Sequence, residues 1–143
     1  MGKSLATEWV KAALATLGAF VAAGVAASIA AGMLDLWETP VAGFVAAFCV
    51  VLAAYVFAPA FKVSLASLTL VLGTAAAWRL IGHSDFPESY GDLAYQPTEI
   101  PFIATFVGGV LAWILACLAE RRRRRSGPVP NNSFKPNSLR ESA

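Results

Sequence analysis

Four strongly apolar runs divide the chain, at about residues 12–34, 41–57, 63–81 and 101–119, uncharged except for Arg79 in the third. A helix rises 1.5 Å per residue, so about 20 apolar residues cross the roughly 30 Å hydrocarbon core of a bilayer. Each run is close to that length. The polar positions collect between the runs and at the two ends. This pattern predicts an all-α integral membrane protein, with four transmembrane helices in an up-down bundle.

The individual segments refine the picture. The first run follows a short polar start with Lys3, Glu8 and Lys11. A basic start before an apolar run also describes a secretory signal, but signal cores are only about 7–15 residues long. This run is longer, so it is read as a retained span. Thr39 and Pro40 suit the cap and first position of the second helix, and Pro59 closes it. The third run is the weakest, because Arg79 and four hydroxyl residues dilute it; Arg79 reaches the interface by extending its stem along the helix. Glu38-Thr39-Pro40 and Glu99-Ile100-Pro101 open the second and fourth runs alike. That hints at two repeated hairpins, but the segments diverge beyond it, and a shared helix-start preference accounts for the likeness.

Small residues recur at helical spacing. Gly18, Ala22, Ala26 and Ala30 form one row in the first span, beside Ala15, Ala19, Ala23 and Ala27. The two rows merge into one broad face, expected to point into the bundle. Thr69, Gly73 and Ala77 form a shorter row in the third span. The fourth span carries the most regular row, Ala104, Gly108, Ala112 and Ala116. Such faces let helix backbones approach closely in lipid, where packing replaces the hydrophobic drive.

Composition agrees with the membrane reading: 57% of residues are hydrophobic, 14% are charged, and the mean hydropathy is +0.62. Soluble domains carry about 25% charged residues. The formal net charge of +2 conceals a segregation that sets orientation. Arg121, Arg122, Arg123, Arg124 and Arg125 follow the fourth run, and Lys/Arg excess marks the cytoplasmic side. With those arginines inside, Lys3, Lys11, Lys62, Lys135 and Arg140 also fall inside. Asp35, Glu38, Asp85, Glu88, Asp92 and Glu99 fall outside with Arg79. Both termini are then cytoplasmic.

Candidate chemistry is sparse. No Asp, Glu, Lys or His lies deep in a run, and proton-coupled transport needs such a relay. Thr16, Ser28, Ser67, Thr69, Thr74 and Thr105 can satisfy their hydroxyls on their own helix backbones. His83, Asp85 and Glu88 form the one cluster resembling metal ligands, but zinc sites normally take three or four protein ligands, so a solvated turn is expected. Cys49 and Cys117 differ in predicted depth by roughly 10 Å, too far for a disulfide. No enzyme, metal or cofactor is implied. The arginines are expected to serve as a topogenic signal and as a contact for anionic lipids, at about 1 kcal/mol each near the surface. Nucleic acid is not expected as a partner, since no folded recognition module accompanies the basic run.

Residues 126–143 lack apolar periodicity and are rich in Pro, Asn and Ser, which predicts a disordered cytoplasmic tail. The string PNNSFKPNSLR at 130–140 resembles a tail segment that recurs at the ends of otherwise unrelated bacterial proteins. That resemblance implies a bacterial source and hence the inner membrane. The expected role is helix–helix contact with a second copy or another membrane protein. The alternative is an oligomeric pore or small-solute channel of holin type.

Overall fold

A computed structural model of the chain describes residues 2–125, with side chains from residue 5. The tail at 126–143, expected to be disordered, lies outside the described residues. Four helices carry the fold: α1 (Gly2–Met33), α2 (Glu38–Phe57), α3 (Lys62–Ile81) and α4 (Ile100–Arg125). Each is long and apolar enough to cross a membrane.

The boundaries follow hydrogen bonding more than hydropathy. α1 begins ten residues before its apolar run, and an ion pair from Lys11 to Glu8 at 2.9 Å supports the polar first turns. At 32 residues it is about 48 Å long, more than the hydrocarbon core requires. It stops because Asp35 adopts a left-handed conformation at φ 52°. The Leu36 amide then donates to the Ala31 carbonyl at 2.9 Å and the Asp35 amide to Gly32 at 3.4 Å. This 6→1 and 5→2 pair is a Schellman closure.

α2 corrects the expected start. It opens at Glu38 after an extended Trp37, which makes no side-chain cap. Thr39 is therefore inside the helix and Pro40 is its third residue, still within the first turn where a missing N–H leaves no bond unmade. In α4 the Ile100 amide donates to the Thr98 hydroxyl at 3.3 Å, and the first helical bond runs from the Ile103 amide to Glu99 at 2.9 Å.

α2 and α4 form the centre and run parallel. Gly43 lies against Pro101 and Thr105, Phe44 against Gly108, and Tyr55 reaches Glu120. α1 packs antiparallel on α2, where Gly24 meets Ala46 and Gly32 meets Glu38. α3 packs antiparallel on α4, pairing Leu70 with Gly109 and Ser67 with Trp113. The buried cluster is Val51, Tyr55, Ala66, Ala112 and Ala116. Four of these five sit on α2 and α4, so the core belongs to the parallel pair.

The loop between α3 and α4 is ordered. Ser84–Asp85 pairs antiparallel with Pro97–Thr98, and a 3-10 turn at Glu88–Leu93 lies between them. Phe86 and Tyr90 pack at tilted angles against Trp37 from the α1–α2 turn, with ring centroids 5.4 and 5.6 Å away. The three rings tie the two loops together at one end of the bundle.

Candidate functional site

The helix-packing rows do not all behave alike. Gly108, Ala112 and Ala116 are buried and Ala104 is half-buried. Gly108 sits directly on the Phe44 backbone, which no other residue type allows without a shift. Gly18, Ala22 and Ala26 are exposed, and a Cβ at Gly18 would meet nothing within 4 Å. The expectation that this row faces the bundle does not hold within one chain. The neighbouring positions Ala12, Ala27 and Ala31 are buried instead, with Ala15, Ala19 and Ala23 half-buried. The reason is geometric: α1 packs chiefly on α2, and one helix covers only half of so wide a face. The uncovered half remains a smooth strip along the outer side of α1.

A second feature lies on the other flank of α1. α3 leans against α4 and α2, while α1 leans away with α2. The gap between α1 and α3 is a lateral cleft of about 1200 Å³. It runs from Trp9, Ala54 and Leu65 at one end to Ile29, Glu38 and Leu80 at the other. Its floor is Gly43, Ala46 and Gly109, and its walls include Gly24 and Gly73. Gly73 thus opens onto the cleft and buries little, although Ala77 in the same row is buried.

The hydroxyls are mostly turned onto their own helices. Thr16, Ser67, Thr69, Thr74 and Thr105 donate to carbonyls four residues earlier at 2.8 to 2.9 Å. Ser67 does more, since its oxygen also accepts from the Trp113 indole at 2.8 Å. This joins α3 to α4 inside the apolar region.

At the arginine end, all five arginines are helical and exposed. Glu120, which the sequence reading passed over, organises this end. It accepts from the Tyr55 hydroxyl at 3.4 Å and from Arg124 Nε at 3.3 Å. Lys62 lies 5.9 Å from the centre of the Tyr55 ring and reaches the Val56 carbonyl at 3.4 Å. Arg121, Arg122, Arg123 and Arg125 form no ion pair among the described residues, which leaves a basic rim.

His83 does not gather Asp85 and Glu88 around it. It shares a depression of about 180 Å³ with Thr98 and Glu99, and its ring stands edge-on to Trp78 at 5.8 Å. Among the described residues no group of three or more His, Cys, Asp and Glu side chains converges on one point. Cys49 and Cys117 are half-buried and free. Comparison with known protein families, curated proteins and solved structures yields no match, so the functional reading rests on the molecule itself.

Proposed function

We propose that this chain is a multi-pass protein of the bacterial inner membrane that acts by helix–helix contact with a second copy or another membrane protein. The exposed strip Gly18, Ala22 and Ala26 carries the reading. Small faces gain close packing only when another helix lies on them, and no segment among the described residues covers this one. Orientation follows from charge: the arginine rim and Lys62 share the cytoplasmic end, and the acidic loop with Trp37 lies outside. At that rim, Arg121, Arg122, Arg123 and Arg125 contact anionic lipid headgroups, holding the bundle at the inner leaflet.

A photo-crosslinking side chain at position 22, in native membranes, tests the contact. It captures a neighbouring helix, whereas one at Val71, exposed on α3, captures mainly lipid. Equal capture at both positions contradicts the reading. Alkaline phosphatase fused near Tyr90 is expected to be active and after Arg125 inactive; the reverse pattern overturns the orientation. A selective conductance from the purified protein in liposomes replaces this reading with the oligomeric pore.

A further inference from the structure

We infer that the lateral cleft binds a lipophilic monovalent cation, whose apolar body lies between α1 and α3 and whose charge meets the Glu38 carboxylate. The cleft is lined by small residues: Gly43, Gly109 and Gly24 are closed off by Thr105, Leu70 and Ala46 of neighbouring helices, and Gly73 leaves open space beside it. Its interior therefore offers contact to an apolar body. Four of its hydroxyls, Thr16, Thr69, Thr74 and Thr105, already donate to their own backbones, so they select little.

One ionisable group lines the cleft, and it is Glu38. Its carboxylate lies over Gly32 at the mouth and makes no hydrogen bond or ion pair among the described residues. A negative group beside apolar walls attracts a cation more strongly than it would in water, because the medium screens less. A compact cation gains nothing from the walls, and moving it into an apolar groove is costly. A bulky cation with shielded or spread charge suits both parts of the site. An anion of equal size meets the same walls but is repelled at the mouth. The site is separate from the outer strip of α1 and does not depend on what lies there.

Tetraphenylphosphonium and tetraphenylborate are near-identical in shape and opposite in charge, so they isolate the role of Glu38. Binding of each to the full chain in nanodiscs is measured by equilibrium dialysis, with protein-free nanodiscs subtracted. The phosphonium is expected to bind saturably and the borate not. Glu38→Gln should weaken phosphonium binding about tenfold, equivalent to about 1.4 kcal/mol. Gly73→Leu should abolish it, since position 73 has room for a side chain only by filling the cleft. Glu38 is exposed at a helix start, so its variant keeps the test decisive even if Gly73→Leu fails to fold. Equal saturable binding of both ions overturns the inference, as does phosphonium binding that is absent or unchanged in Glu38→Gln. Binding retained by folded Gly73→Leu also overturns it.

Discussion

Gly108 of α4 rests on the backbone of Phe44 in α2, so closely that even a methyl group at position 108 would meet the Phe44 carbonyl. Backbone cannot swing aside as a side chain can. Gly108→Ala should therefore push the central helices apart and cost about 1–3 kcal/mol, the usual range for overpacking. Gly73→Ala meets open space and should be neutral, or gain up to about 1 kcal/mol in helix propensity. Leu111→Ile, on an exposed face, should change little. Denaturant unfolding of the three variants, followed by circular dichroism, ranks them; equal stability of Gly108→Ala and wild type contradicts the parallel core.

The Trp113 indole donates to Ser67 at 2.8 Å across the α3–α4 seam. In membranes such bonds are worth about 0.6 kcal/mol on average and up to about 1.7. A double-mutant cycle of Ser67→Ala and Trp113→Phe should give coupling in that range. Additive effects would mean that the two side chains do not act together.

The spans were legible because the bilayer demands continuous apolar length, and that demand leaves a direct trace in sequence. Other features left a weaker trace. The small face of α1 merges two rows on a helical wheel, and nothing in α1 itself says which row is covered; once α2 is in place it is Ala15, Ala19, Ala23 and Ala27. The parallel pairing of α2 with α4 has its own trace in the sequence, Gly43 and Ala47 at four-residue spacing, which face Thr105 and Gly109. Glu120 was hidden beside five arginines, where a lone acid reads as part of a polar end. Its meaning appears only when Tyr55, distant in sequence, arrives next to it. The cleft could not be read at all, since it depends on how far α1 and α3 stand apart.

The loop at Gly82–Glu99 read as a solvated turn, yet Trp37, Phe86 and Tyr90 hold it in place. Aromatic pairs contribute about 0.5–1.5 kcal/mol each beyond buried area. Trp37→Ala removes two of the three pairs. The Phe86 and Tyr95 amides, which bond to Gln96 and Phe86 carbonyls at 3.0 Å, should then exchange hydrogen faster. Amides of α2 and α4 should keep their wild-type rates. Unchanged exchange at Phe86 and Tyr95 would show that the rings do not hold the loop.

The central claim concerns the uncovered side of α1. A variant carrying Gly18→Leu, Ala22→Leu and Ala26→Leu adds bulk where no atom of the same chain packs, so its own unfolding should match wild type. The decisive measurement is the size of the complex each protein forms when native membranes are solubilised mildly. Wild type should run as a complex larger than one 15.0 kDa chain, and the triple variant as the single chain. A variant that keeps the wild-type complex, or a wild type that is itself a single chain, contradicts the account.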